Sequence, residues 1–184
     1  NVTLTNDGFT QTLTADQREL YHIYLESKGN RDYLFADDIY ANESGGPGYT
    51  IPGEALTDET FRRLITEAEK YLGYPYVWGG ASPETSFDCS GFISYVFAAS
   101  GVRDVGRLGA TSLYGRCTPI APQEARPGDL IFFEGTISGE EGITHVGLYV
   151  GGNHMLHCGS PIGYADLTDS YWQNHFYGYG RLYE

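Results

Sequence analysis

The chain has 184 residues and a mass of 20.3 kDa, with 41% hydrophobic and 15% aromatic residues, enough for one folded domain with a small attachment and too ordered a composition for a disordered chain. Twenty-four acidic against 11 basic side chains leave a net charge of −13, a surface that repels phosphate backbones and excludes nucleic acid as an expected partner. No apolar run approaches the ~20 residues that cross a bilayer.

In chain order, Thr14 and Gln17 have capping-box spacing, and Leu20, Ile23 and Tyr24 follow at helical intervals until Lys28-Gly29, which predicts an amino-terminal helix. Periodicity fades from Asn30 to Glu54, and Ser44-Gly45-Gly46-Pro47-Gly48 with Pro52-Gly53 reads as a linker. The expected organisation is a helical segment and linker over 1–56 and a second domain over 57–184. Both parts are acidic, with three basic and nine acidic side chains in the first and eight and fifteen in the second, so neither is a specialised tail.

Thr57 is positioned to cap a second helix with Phe61, Leu64, Ile65, Ala68 and Leu72 on one face, ended by Gly73 and Pro75. A third helix is predicted from Asp88 to Ser100, with Phe92, Ile93, Val96 and Phe97 as its apolar stripe and Gly101 as its stop. Beyond Pro127-Gly128 the period becomes extended, with strands expected over 129–134, 144–151, 154–158 and 176–183. Helices first and strands afterwards make the fold class α+β.

Cys89 opens the third helix. A thiol there faces unsatisfied backbone N–H groups and the positive end of the helix dipole, which favour the thiolate and make a nucleophile. The competing reading is a small buried hydrophobe on the apolar stripe. A cysteine nucleophile needs a base and an orienting partner. In Thr144-His145-Val146-Gly147-Leu148-Tyr149-Val150, alternation turns His145 away from the aliphatic face, beside a glycine that leaves room for a substrate or a neighbouring chain. In the next strand Met155 and His157 share a face, which sets His154 and Cys158 on the other. His22 and His175 read as surface residues. Tyr74-Pro75-Tyr76-Val77-Trp78-Gly79-Gly80 is either an aromatic cover for the core or a donor loop in which the Tyr76 hydroxyl serves a developing oxyanion.

The ordered series Tyr76-Val77-Trp78-Gly79-Gly80, Asp88-Cys89-Ser90-Gly91, Arg126-Pro127-Gly128-Asp129-Leu130, His145-Val146-Gly147-Leu148-Tyr149 and His157 resembles the NlpC/P60 family of cysteine peptidases over roughly Thr57 to Glu184. The resemblance implies a papain-like fold with the nucleophile helix packed on an antiparallel sheet that carries the base. It implies cleavage of peptidoglycan stem peptides at the bond between γ-D-glutamate and the diamino acid. In that reading Cys89 is the nucleophile, His145 the base, His157 the third polar residue and Tyr76 an oxyanion or substrate contact. Asp88, Ser90 and Trp78 are expected at the substrate, and no cofactor or metal is implied. A secreted or wall-associated location follows, and an export signal or membrane anchor could lie upstream of Asn1. A further resemblance to hydrolases of Gram-positive conjugative elements implies a transfer apparatus as partner.

Three alternatives remain at this stage, one of them acyl transfer, since related permuted folds use Cys and His on lipids, although the order Cys89 before His145 and the Tyr76-Val77-Trp78-Gly79-Gly80 segment resemble the peptidase branch. One Cys and two His could hold Zn²⁺ with an open fourth position, as in an amidase, although tight ligand spacing is missing. The fold could also serve as a non-catalytic peptidoglycan-binding module. Cys117 and Cys158 are compatible with a disulfide or with two buried thiols.

Overall fold

The computed structural model describes residues 49–183 and the backbone of two amino-terminal strands, β1 (Thr3–Asn6) and β2 (Phe9–Thr12), which pair antiparallel. The expected helix from Thr14, with His22 on it, lies outside the described residues. The chain forms two compact units, Asn1–Gly48 and Tyr49–Glu184. Residues 49–56 belong to the second: the Tyr49 ring stacks on His154 at 4.0 Å and its hydroxyl donates to the Gly151 carbonyl.

Helix α1 (Glu59–Ala68) buries Phe61, Leu64, Ile65 and Ala68. Its cap is Asp58, whose carboxylate accepts from the Phe61 N–H at 2.8 Å, whereas Thr57 ends a short 3-10 turn and donates to the Glu54 carbonyl. A tight hairpin, β3 (Ala81–Ser82) and β4 (Ser86–Phe87), leads into α2 (Cys89–Ala99), the predicted third helix. Its buried face contributes Phe92, Ile93, Val96 and Phe97 to the core. Helix α3 (Ala110–Tyr114) and strand β5 (Thr118–Ile120) follow. The expected strands are β6 (Leu130–Glu134), β7 (Ile143–Gly151), β8 (His154–Cys158) and β10 (Phe176–Arg181). Two elements between them carried no sequence signal: β9 (Ile162–Asp166) and the short α4 (Ser170–His175).

The sheet runs β5-β10-β6-β7-β8-β9 with every neighbouring pair antiparallel. The α+β class with helices packed on an antiparallel sheet is the observed one. One sheet face, with Val146, Leu148, Leu156 and Cys158, packs against α1, α2 and α3. The other carries Ile131, Phe133, Met155 and Leu167, partly covered by Trp172, Tyr149 and Tyr179. Strand alternation thus puts the aliphatic residues of β7 toward the helices and His145 on the reverse.

Asp129 is fully buried below this sheet, where Arg181 Nε and Nη2 donate to its two oxygens at 2.7 and 2.9 Å and the Arg126 N–H donates at 2.9 Å. The three cysteines are free thiols; Cys117 donates to the Leu113 carbonyl and Cys158 to that of Phe87, each at 3.2 Å. Among the described residues no helix is long and apolar enough to cross a membrane.

Candidate active site

Cys89 is the first residue of α2, and its placement depends on the residues flanking it. Asp88 caps the helix, accepting from the Gly91 N–H at 2.7 Å. Its second oxygen accepts from the Gly79 N–H at 3.0 Å and from Arg107 Nη2 at 2.6 Å, which ties the Tyr76–Gly80 loop and the 107 loop to the start of the helix. Gly91 permits this: a Cβ there would lie 2.1 Å from the Gly80 carbonyl oxygen. Ser90 Oγ donates to Asp88 at 3.3 Å and accepts from Arg107 Nη1 at 2.9 Å.

Gly79, Asp88, Cys89, Ser90 and Arg107 line a cleft of about 340 Å³. Its lining also includes Tyr76, Trp78, Thr111, Glu140, Glu141 and Thr144. Five of the residues singled out from the sequence, Tyr76, Trp78, Asp88, Cys89 and Ser90, line it together. Arg107 and the Glu140–Glu141 pair were not foreseen, because both lie in loops where no periodicity marks them. Trp78 is 67% exposed, an aromatic surface open to solvent at the rim. The Asp88 carboxylate is occupied by the cap, the Gly79 N–H and Arg107, so it offers an incoming amine no unoccupied oxygen lobe comparable to those of Glu140 and Glu141.

The sulfur of Cys89 faces β7. It donates to the Thr144 carbonyl at 3.8 Å, and the Val146 N–H acts on it from the other side of His145 in favour of its charged form. The His145 ring lies on the reverse face of the strand. Its Nε2 is 2.8 Å from Nδ1 of His157, with the two rings at 84°. Gly147 makes that meeting possible. It pairs with His157 across the strands, and a Cβ on it would lie 2.6 Å from Met155 Sδ and 3.2 Å from His157 Cβ, so the space expected beside His145 is filled by β8. His154 turns to Tyr49, and His175 Nδ1 is bonded to the Glu134 carbonyl.

Burial dominates the electrostatics. It pushes the Cys89 thiol up to about 11, with the Asp88 charge adding to the rise; the N–H groups of Ser90 and Val146 and the Arg107 guanidinium act in the opposite direction without cancelling it. The same loss of water holds His145 well below the ordinary histidine value, helped by His157, and brings His157 down to about 4. The resting pair is therefore a neutral thiol and a neutral imidazole at pH 7. This corrects the expectation of a thiolate from the helix terminus alone: the first-turn N–H groups favour the anion by less than desolvation opposes it. Burial and the charges of Cys89 and Asp88 raise Tyr76 as well, which keeps its hydroxyl protonated as a donor. Among the described residues no group of three or more His, Cys, Asp or Glu side chains is placed to hold a metal ion.

A sequence model described as the NlpC/P60 family matches residues 73–181. The chain is 37% identical over 175 residues, 95% of its length, to the bifunctional muramidase/DL-endopeptidase CwlT of Bacillus subtilis, of which it spans 52%. Among solved structures, an NLP/P60-family protein described as similar to lipoprotein from Staphylococcus aureus superposes with a TM-score of 0.66 at 40% identity, covering 85% of this chain and 50% of that one. RipD of Mycobacterium tuberculosis, described as a non-catalytic NlpC/p60 domain protein adapted to peptidoglycan binding, superposes with a TM-score of 0.55 at 26% identity, covering 66% of this chain and 95% of that one. The chain thus spans about half the length of the first two.

Proposed function

The chain belongs to the NlpC/P60 family, and from that membership and the geometry of the cleft we propose that it is a cysteine endopeptidase cleaving peptidoglycan stem peptides. The observation that carries this is the placement of Cys89: it opens α2 and lines an open cleft, and the Thr144 carbonyl and the Val146 N–H act on its sulfur from either side of His145. The bond between γ-D-glutamate and the diamino acid fits a relative named as a DL-endopeptidase. Extracellular or wall-associated action follows from the substrate. The transfer-apparatus partner rests on sequence resemblance alone.

In this reading the reaction starts from the neutral pair. His145 Nε2 is engaged with His157, so Nδ1 is the nitrogen left to act as base, and this reading requires the ring to reach the sulfur past the edge of β7, where Cys89 meets the Thr144 carbonyl, and take the thiol proton as the sulfur attacks the amide carbonyl. A C–S bond forms, and the carbonyl electrons move onto oxygen. The Cys89 N–H, one of the unpaired donors of the first helical turn, and the Tyr76 hydroxyl receive that charge. The C–N bond then breaks, and the proton held by His145 leaves with the amine. Water, deprotonated by His145, hydrolyses the thioester and restores the thiol. His157, held neutral by burial, accepts from His145 Nε2–H and fixes the tautomer.

RipD is the instance of a second reading, a binding module without catalysis. Cys89 and Tyr76 lining one cleft, and the bonded His145–His157 pair on β7 and β8, the first of which the Cys89 sulfur touches through the Thr144 carbonyl, support the enzyme. The deciding experiment incubates purified peptidoglycan with the parent protein and with Cys89→Ala, and identifies the released peptides by mass spectrometry. Release by the parent, ended by the substitution, is expected; equal release by both would exclude Cys89 catalysis, and binding without release by either would favour the module.

A further inference from the structure

Helix α4 carries Trp172 onto the imidazole pair. The indole stacks on His145 with ring centres 5.5 Å apart and planes at 26°, and meets His157 edge-on at 5.1 Å and 84°. It is held from behind by Phe133 at 4.8 Å and Tyr171 at 5.0 Å, and Phe133 is itself the cross-strand partner of His145. Neither imidazole touches Trp172 through a hydrogen bond. The contact is a flat apolar wall on one side of the N–H···N bond, supplied by an element of six residues whose amino end is fixed by Asp169 accepting from the Tyr171 N–H at 2.7 Å.

We propose that Trp172 is the positioning residue of the base: its indole holds the His145 ring against rotation, keeps water off the bond to His157, and so maintains the tautomer that leaves Nδ1 as the proton acceptor. This rests on the endopeptidase reading for its consequence in catalysis, and on ring geometry alone for the positioning itself. A side chain of one carbon at 172 would join the imidazole pair to the neighbouring cavity of about 210 Å³ lined by Ile131, Phe133, Leu167 and Tyr179. Water would then reach both rings, and either could rotate or charge. The ionisable groups on the surrounding elements are Cys89 and Tyr95 on α2, Glu134 on β6, Tyr149 on β7, His154 and Cys158 on β8, Tyr177, Tyr179 and Arg181 on β10, and Asp169, Tyr171 and His175 at α4; Glu134 and Asp169 are exposed to solvent. Burial, not any of these charges, is the leading cause of the low basicity of both histidines. Removing the cover therefore raises both toward the ordinary histidine value.

The test uses Trp172→Ala, with Trp172→Leu as a bulky apolar but non-planar control and Trp172→Phe as the conservative variant. Folding is checked by circular dichroism and thermal unfolding. Ring resonances of His145 and His157 are titrated by NMR, in a Cys89→Ala background so that no activity is needed. The expected result for Trp172→Ala is titration of both rings at higher pH. In the active protein, kcat should fall by ~10²-fold, the scale of a misaligned reacting group, with KM little changed and the acid limb of the rate profile displaced upward. Trp172→Phe should restore most of kcat, and Trp172→Leu should restore less than Phe. If Trp172→Ala does not fold, the Leu and Phe pair carries the same comparison. Unchanged ring titration in a folded variant overturns the proposal, whether or not kcat falls. Retained activity in Cys89→Ala would instead overturn the endopeptidase reading and leave the ring titration to stand by itself.

Discussion

Asp88 and Arg107 meet at 2.6 Å beside the nucleophile, and they act on its sulfur with opposite sign. The Asp88 charge disfavours the thiolate, whereas the guanidinium favours it. Asp88→Asn, which preserves an oxygen for the Gly91 N–H, should lower the apparent thiol pKa. Arg107→Ala should raise it. The pH dependence of alkylation by iodoacetamide reads both shifts; two shifts of the same sign would remove Asp88 and Arg107 as opposed electrostatic controls. Asp88→Ala is a different experiment, since it also deletes a helix cap worth roughly 1 kcal/mol and should lower the unfolding temperature.

A resting neutral pair has a spectroscopic consequence. With the thiol near 11 and His145 low, the free protein should show little thiolate ultraviolet absorbance at pH 7, and alkylation should accelerate steadily toward alkaline pH. An enzyme with a preformed thiolate–imidazolium pair would instead show a rate plateau from mildly acidic pH upward. Observing that plateau would contradict the dominance of burial at this site.

The low value of His157 also has a stability consequence. Its folded pKa, about 4, lies below the 6.5 of an unperturbed histidine, so between these values the unfolded chain binds a proton that the native state does not. Native stability should therefore be fully present above about 6.5 and fall as the pH drops toward 4, by about 3 kcal/mol for this group alone. Urea unfolding at several pH values measures the slope, and His157→Gln should flatten it.

The parts of this site that could be read in advance are those set by strong periodicity. The stripe from Phe92 to Phe97 identified α2 and put Cys89 at its amino end, and alternation in β7 and β8 separated His145 and His157 from Val146 and Leu156. Sequence could not show that β8 fills the space next to Gly147, because cross-strand register is a tertiary property. Arg107 lies in Val105-Gly106-Arg107-Leu108-Gly109, where no face is defined. Trp172 lies on a helix too short to show a period, within a stretch that reads as a polar turn. The thiolate expectation failed for a related reason: the helix end is visible in the sequence, but the depth at which it is buried is not. Thr57 and Asp58 are both capping residue types, and it is Asp58 that accepts from the Phe61 N–H while Thr57 donates to the Glu54 carbonyl.

Asp129 supports the fold at a distance from the chemistry. Its buried carboxylate is the two-pronged partner of Arg181, the last residue of β10, and also holds the Arg126 N–H. Asp129→Ala leaves the guanidinium largely buried and unpaired, an error that costs ~3–5 kcal/mol in comparable sites. Asp129→Asn should cost less, because it still accepts hydrogen bonds. Chemical denaturation would measure both, and an Asp129→Ala protein as stable as the parent would show that the pair contributes nothing net.

Tyr76 separates the oxyanion role from packing. It lines the cleft, its backbone bridges to Phe87 just before the nucleophile helix, and its hydroxyl stays protonated because burial and the neighbouring negative charges raise it. Tyr76→Phe keeps the ring and deletes the donor. Loss of one oxyanion donor typically lowers kcat by ~10²- to 10³-fold, so cleavage of a defined muropeptide should become slow but measurable, with little change in KM. Alkylation of Cys89 does not pass through an oxyanion, and its rate should stay near that of the parent. A drop in kcat with alkylation preserved assigns the hydroxyl to the transition state. Equal losses in both would mean that the substitution had displaced the sulfur, and an unchanged kcat would leave the Cys89 N–H as the principal donor.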